Sequence, residues 1–322
     1  MRRLLSTLAC LSACAAAQAA GQDYPARAIT MVIASPAGST PDTGARALAQ
    51  SMAQALGQPV VIENRPGANG QIAAQEVLKN PPDGYTVLVA AGSTMAINPH
   101  VYPRQAVDVL KDLKSVGKMY STDFYLIVRS DSGIDSMSAL IARAREKPGG
   151  FVAANSGPGS AAQLATEVLK QQAGVDIYQV PFNGSPAAAL AVASGNADML
   201  IETQTVTEPF VSSGRVKRLA TTGRARSAAF PDLPTMAEAG VSGMEISSWA
   251  GIFARTQVPA DRVDRLNAAM NRALEAPEVQ ALLRGAGLQP GGGSSNDFQQ
   301  EWQAQSRLWA DVVSRSPGLT NR

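Results

Sequence analysis

The chain has 322 residues, 45% apolar and 17% charged, with 28 Lys plus Arg against 26 Asp plus Glu and a formal net charge of +2. Domains commonly run ~100–200 residues, so this length admits a sizeable core and two domains. The near-balance of charge excludes a field strong enough to recruit nucleic acid, and no basic cluster marks a membrane surface.

Arg2 and Arg3 are followed by an uncharged, Leu- and Ala-rich run from Leu4 to Ala17, and Ala17-Gln18-Ala19 is an A-x-A cleavage site. The run is short of the ~20 apolar residues of a membrane span. Residues 1–19 therefore read as a signal peptide and the protein as exported to the periplasm. Both cysteines, Cys10 and Cys14, fall in this segment. Ordinary cleavage leaves no disulfide, no thiol chemistry and no thiolate metal site. Leu11-Ser12-Ala13-Cys14 also has the form of a lipobox, so a lipoprotein anchored at Cys14 is the alternative.

From Ile29 onward short apolar runs alternate with helical patterns. Ile29–Ala34 reads as a strand, followed by a Gly turn and a helix with Leu48, Met52 and Leu56 at four-residue spacing. Val60–Glu63 is a strand, Asn64–Gly67 a loop, and Ile72–Leu78 a helix. Further strands are expected at Thr86–Ala90, Phe124–Arg129, Phe151–Ala154, Ile177–Val180, Met199–Ile201 and Arg218–Thr222. This alternation predicts βα units and mostly parallel sheets. The tail differs: after Trp249–Phe253 comes a helix with Val263, Leu266, Met270 and Leu274 on one face and Asp261 placed to cap it. A short helix near Val279–Leu283 and a last helix carrying Phe298, Trp302 and Trp309 follow. No interdomain linker is visible, so the two lobes are expected to be joined by crossing strands, at Lys114–Ser130 and Met244–Arg255. Residues 20–124 and 245–322 would form one discontinuous lobe, and residues 125–244 the other.

Four strand ends run into turns that contain glycine and then towards helices: Pro36-Ala37-Gly38-Ser39-Thr40, Gly92-Ser93-Thr94, Ser156-Gly157-Pro158-Gly159-Ser160 and Pro181-Phe182-Asn183-Gly184-Ser185. Such turns gather at the carboxyl edges of parallel strands. Helix N-termini there offer unpaired N–H groups and a positive dipole end. One turn alone is no more than a capped helix; four of one character can face one another across a cleft. Gly157-Pro158-Gly159 also approximates a dinucleotide fingerprint. That reading fails on the acid it requires, because Asp176 begins the next strand where it should end it. A small carboxylate is the better occupant. Asp42, just before a helix, reads first as its cap. Trp249 and Phe182 fit either core or cleft wall. Catalysis is poorly supported: His100 is the one histidine, and no G-x-S-x-G, H-E-x-x-H or acid cluster with metal-ligand spacing is present.

Six segments in order carry a resemblance: Tyr24-Pro25; Pro36–Asp42 with Ala45-Arg46; Glu63-Asn64-Arg65-Pro66-Gly67-Ala68-Asn69-Gly70; Pro82–Thr86; Val180–Gly184; and Pro231-Asp232-Leu233-Pro234-Thr235-Met236-Ala237-Glu238-Ala239-Gly240. Together they resemble the Bug family of bacterial solute-binding proteins, the extracytoplasmic receptors of tripartite tricarboxylate transporters. The resemblance spans essentially the whole mature chain. It implies an α/β, type II periplasmic-binding-protein fold whose two lobes close on a small organic carboxylate. Backbone N–H groups and hydroxyls would hold the carboxylate, often with no arginine. Carried onto this chain, the first-lobe contacts would be Pro36, Ala37, Gly38, Ser39, Thr40, Asp42, Ser93 and Thr94. The second-lobe contacts would be Ser156, Gly157, Gly159, Ser160, Gln163, Phe182, Asn183 and Gly184. The chain departs from the family pattern at Gln163, where His is common, at Phe182-Asn183 in place of Tyr-Lys, and at Gly38-Ser39 in place of Gly-Gly. The resulting expectation is a monomeric, non-enzymatic receptor without cofactor or metal, feeding the membrane subunits of a tripartite tricarboxylate-type transporter. An exported hydrolase or transferase on a two-lobed scaffold, and a ligand sensor feeding a membrane signalling partner, are the alternatives.

Overall fold

A computed structural model describes residues 24–102 and 104–314. The signal segment, both cysteines and the lipobox lie outside the described residues. Strand β1 is Ile29–Ile33, β2 Val60–Asn64, β3 Thr86–Ala91, β4 Leu113–Arg129, β5 Val152–Asn155, β6 Tyr178–Pro181, β7 Met199–Thr203, β8 Val216–Thr221, β9 Ser247–Arg255 and β10 Gln289–Pro290. The principal helices are α1 Thr40–Leu56, α2 Gln71–Lys79, α3 Met137–Glu146, α4 Ala161–Ala173, α5 Ser185–Ala193, α6 Gln204–Ser212, α7 Ala260–Glu275, α8 Pro277–Gly285 and α9 Ser295–Ser314.

The strands form one curled, mixed sheet in the order β2-β1-β3-β9-β4-β7-β5-β6, with β8 and β10 also pairing to β4. Among the named strands, parallel pairing is confined to β1–β2, β1–β3, β5–β6 and β5–β7. Every pair that includes β4 or β9 is antiparallel, so "mostly parallel" holds only for the outer part of each lobe. The reason lies in the connectivity. β4 runs through both lobes and β9 returns beside it, and a return strand adjacent to its outbound partner must oppose it. Residues Leu113–Asp123 of β4 pair with β9; from Phe124 onward the same strand pairs with β7 and then β8. The molecule is thus a two-lobed α/β protein with its lobes joined along one 17-residue strand.

Each lobe is a three-layer sandwich, and strand alternation explains why. On β1, Ile29, Met31 and Ile33 face one layer, where Leu48 and Met52 of α1 meet Val263, Leu266 and Met270 of α7. Val32 points the other way, onto Ala73 and Val77 of α2 and onto Phe298 and Trp302 of α9. Both faces of a parallel strand are buried, so its sequence is a continuous apolar run. In the second lobe Leu126 and Val128 pack on Leu140 of α3 and Leu169 of α4, and Ile127 faces Val192 of α5. The last helix docks on the first lobe through Trp302, whose Nε1 donates to the Met95 carbonyl at 2.8 Å. Asp261 is not the cap of α7: the helix starts at Ala260 after Pro259, and Asp261 sits inside the first turn. There it complements the helix dipole.

Gly251, in the middle of β9, is required by this docking. A Cβ there would collide with the Phe298 ring and come within 3.0 Å of the Gly117 carbonyl oxygen. Gly251→Ala is expected to lower the unfolding free energy by about 1–3 kcal/mol, the usual cost of overpacking, as measured by denaturant unfolding.

Candidate functional site

The carboxyl ends of β1, β3, β5, β6 and β7 converge on one cavity of about 330 Å³ between the lobes. Its floor is the stretch where the sheet passes from lobe to lobe: Tyr120, Thr122 and Phe124 of β4, with Ser248 and Trp249 of β9. All four predicted turns reach its wall. Pro36, Ser39, Thr40, Ser93 and Thr94 line it from the first lobe; Ser156, Gly157, Gly159, Ser160, Phe182, Asn183 and Gly184 line it from the second. Ala37, Gly38, Asp42 and Gln163 do not line it, and the geometry shows what two of them do instead.

Asp42 is the third residue of α1, and the N-cap position belongs to Ser39. The Asp42 carboxylate turns back and accepts the Gly38 N–H at 2.9 Å, Arg46 Nε at 3.0 Å and Asn64 Nδ2 at 2.9 Å. It therefore fixes the β1–α1 turn from behind; the cap expectation is corrected. Burial alone would push this carboxyl up, but the hydrogen bonds from Arg46, Gly38 and Asn64 outweigh it and hold it below the usual carboxylate range. Gln163 plays the equivalent part in the second lobe. Its Oε1 accepts the Gly159 N–H at 2.6 Å.

This alters how an anion would be held. The Gly157 N–H is taken by Asn155 Oδ1 at 3.0 Å, and the Ser160 N–H by the Gly157 carbonyl at 3.2 Å. The glycine amides of the turn are thus committed internally, contrary to the expectation that they grip the ligand. Ser160 Oγ caps α4 by accepting the Gln163 N–H at 3.2 Å, which leaves its own hydroxyl proton available. The amides of Ala161 and Ala162, in the first turn of α4, have no carbonyl partner within the helix, and both residues line the cavity. Ser39 is the other uncommitted donor: it holds the N-cap position of α1 without making a cap bond, is buried, and its Oγ has no hydrogen-bond partner. Asn98 Oδ1 is likewise buried, at the cavity, and without a partner.

Several cavity residues escaped the sequence reading. The loop Pro66–Gly70 borders the cavity, although the sequence marked it only as a loop and as part of the resemblance, with no binding role. Glu202 and Thr203 end β7 and turn directly into α6. They obey the same strand-end rule as the other turns but lack the glycine that marks one. Thr203 Oγ1 meets Thr40 Oγ1 at 2.6 Å, a buried hydrogen bond that joins the two lobes across the cleft. Two glycines bring the lobes equally close. A Cβ on Gly184 would lie 2.8 Å from Pro36 Cγ, and one on Gly159 would lie 2.5 Å from Asn98 Oδ1 and 2.9 Å from Tyr102. The cleft is closed.

Among the described residues no Lys, Arg or His lines the cavity, and Glu202 is the one carboxylate that does. Burial raises the Glu202 carboxyl above its ordinary value, opposed by hydrogen bonds from the Thr203 N–H and the Ser185 hydroxyl. Burial first, and the Glu202 charge second, push the Tyr120 phenol well above its own. His100 lies away from the cavity, where its Nε2 and Ser306 Oγ are 2.9 Å apart, tying the short helix Asn98–Val101 to α9. Among the described residues no cluster of three His, Cys, Asp or Glu side chains could hold a metal ion. None of the described helices is long and apolar enough to cross a membrane.

Residues 44–317 match the sequence profile of the tripartite tricarboxylate transporter family receptor. The chain belongs to that family. It is 32% identical to the protein BugT of Bordetella pertussis (strain Tohama I) over 316 residues, which is 97% of either chain. In three dimensions it is similar to R. palustris Rpa4515, solved with adipate, at a TM-score of 0.88 and 33% identity, covering 92% of this chain and 99% of that one. MatC (Rpa3494) from Rhodopseudomonas palustris, solved with bound malate, superposes with a TM-score of 0.84 at 30% identity, covering 90% of this chain and 100% of that one.

In this receptor the Asp42 cluster makes a pH-dependent contribution to stability. A depressed folded-state pKa stabilises above the unfolded value, and the gain disappears as pH falls through the folded one. Asp42→Asn is expected to cost about 1–3 kcal/mol at pH 7. In thermal melts, the gap to wild type should shrink progressively below about pH 4; a gap that persists unchanged in acid would assign the effect to shape alone.

Proposed function

We propose that the chain is an exported periplasmic receptor that captures a small organic carboxylate in the interlobe cleft and delivers it to the membrane subunits of a tripartite tricarboxylate-type transporter, performing no chemistry on it. The observation that carries this reading is the convergence of four strand-end turns on one interlobe cavity whose wall, among the described residues, is rich in donors and free of cations. The carboxylate is held by the first-turn amides of α4, where the helix dipole is positive, and by the hydroxyls of Ser39 and Ser160. Charge-assisted hydrogen bonds of this kind hold an anion firmly without a buried arginine. Closure of the lobes strips water from the ligand and presents a single closed surface to a membrane partner. The adipate of Rpa4515 and the malate of MatC support a carboxylate as the ligand class. The lobe limits at 124 and 245 are adopted here too. They are supported by the change of partners along β4, from β9 at Asp123 to β7 at Phe124. A hydrolytic reading draws no support, since the single histidine is bonded to Ser306 outside the cavity.

Two serines separate binding from folding. Ser39→Ala removes a hydroxyl with no partner in the protein, so it is expected to weaken carboxylate binding by about 1–3 kcal/mol while leaving thermal stability unchanged. Ser160→Ala removes a cap as well, and is expected to lower both affinity and stability, the latter by about 1 kcal/mol. Calorimetric titration with carboxylates alongside thermal melts reads both. Undiminished affinity in both variants would remove the serines from the site.

A further inference from the structure

The wall of the cleft holds an acid that the receptor reading leaves unused. Glu202 is 5% exposed and lines the cavity. Its Oε1 accepts the Thr203 N–H at 2.9 Å. That partner is not a cation, and among the described residues no Lys, Arg or His lines the cavity. Burial without a cation disfavours the Glu202 charge and outweighs the hydrogen bond from the Thr203 N–H, which favours the ionised, accepting form, so the carboxyl lies above its ordinary value. An incoming hydrogen-bond donor relieves that conflict. An incoming second anion aggravates it, because two carboxylates sharing a site raise the pKa of one of them, which then takes up a proton.

We infer that Glu202 sets the ligand class: the cleft takes a carboxylate whose second polar group is a hydrogen-bond donor, an ammonium above all, and rejects the dicarboxylate of the same length. The inference rests on the carboxylate reading proposed above. The ligand carboxylate lies with the α4 amides and the hydroxyls of Ser39 and Ser160. The donor group lies with Glu202 at the end of β7. A buried polar group that goes unpaired in the wrong complex is a strong source of discrimination, stronger than the presence or absence of a methylene.

The test is calorimetric titration of the mature protein with matched probes: adipate, 6-aminohexanoate, norleucine and hexanoate, then succinate, 4-aminobutanoate, 2-aminobutanoate and butanoate. In wild type, at least one amino probe is expected to bind about tenfold or more tightly than its matched dicarboxylate. Titration in buffers of different ionisation enthalpy should show proton uptake with the dicarboxylates and none with the amino probes. Glu202→Gln, which keeps the shape and removes the charge, should abolish the preference. A dicarboxylate that binds as tightly as its amino counterparts, or a preference that survives E202Q, overturns the inference and leaves the receptor reading standing. Failure of every probe to bind, hexanoate and butanoate included, overturns both. Should E202Q not fold, the wild-type ranking and its proton uptake decide the question alone.

Discussion

A polar cleft keeps its donors useful only if the protein does not spend them on itself. That constraint orders the cleft. Three glycine amides of the turns have been given a side-chain partner behind the wall: Gly38 to Asp42, Gly157 to Asn155, Gly159 to Gln163. These bonds hold the turns in their left-handed conformations, with φ of 76° at Gly38 and 73° at Gly159, which residues with a Cβ rarely adopt. The groups left facing the cavity are helix N-terminal amides and hydroxyls. Ser39 and Ser160 show the division of labour. Both stand at the start of a helix, but only Ser160 uses its oxygen to cap.

The scaffold makes that arrangement possible because the same two strands serve both lobes. β4 changes partners at Phe124 without interruption, and β9 lies beside its first half. Residues at the changeover, Tyr120 and Thr122 on one strand and Ser248 and Trp249 on the other, become the floor of the cleft. The register slips between β4 and β9 at Ser115/Gly117 and Lys118/Tyr120, and such bulges increase local twist. The floor is anchored from beneath by aromatic packing: Trp249 meets Phe298 edge-on at 5.0 Å between centroids and sends its Nε1 to Gln305. Trp249 is thus both core and wall, which resolves the two readings its sequence position allowed.

Much of this was legible before any coordinates. Periodicity marked nearly all the strands, because strands buried on both faces are written as short unbroken apolar runs, and the crossing segment at Lys114–Ser130 matches β4 within one residue at either end. The turns were legible because glycine and serine between a strand and a helix have few other uses. What stayed hidden had no such mark. Asp42 looked like a cap because its distance from the helix start was one that caps occupy; its true role depends on Arg46 and on Asn64, a residue from a neighbouring strand. Glu202 and Thr203 sit in an ordinary strand-to-helix junction, and only the folding of β7 next to β4 puts them in the cavity. The sense of the central pairings was equally invisible, since antiparallel and parallel buried strands share one composition.

The contacts that close the cleft explain how a ligand could control it. The lobes touch through neutral groups: the hydroxyl pair Thr40 with Thr203, close approaches at Gly184 and Gly159, Thr205 Oγ1 and Gln204 Nε2 donating to the carbonyls of Ala286 and Gly285, and Leu164 packed with Ile97 and Val101. A neutral hydrogen bond contributes only about 0.5–1.5 kcal/mol net, and glycine against proline adds little beyond dispersion. Among the described residues no ion pair links the lobes at the cavity wall, which carries no cation. The contacts that hold the lobes together at the cleft are therefore neutral ones. A bound molecule that bridges the α4 amides to the first-lobe hydroxyls shifts the balance by its differential affinity for the closed form. Stronger direct contacts between lobes would hold the cleft shut in the absence of ligand and erase the signal. The use of threonines and glycines at the rim, where arginine and carboxylate could have met, keeps the decision with the ligand.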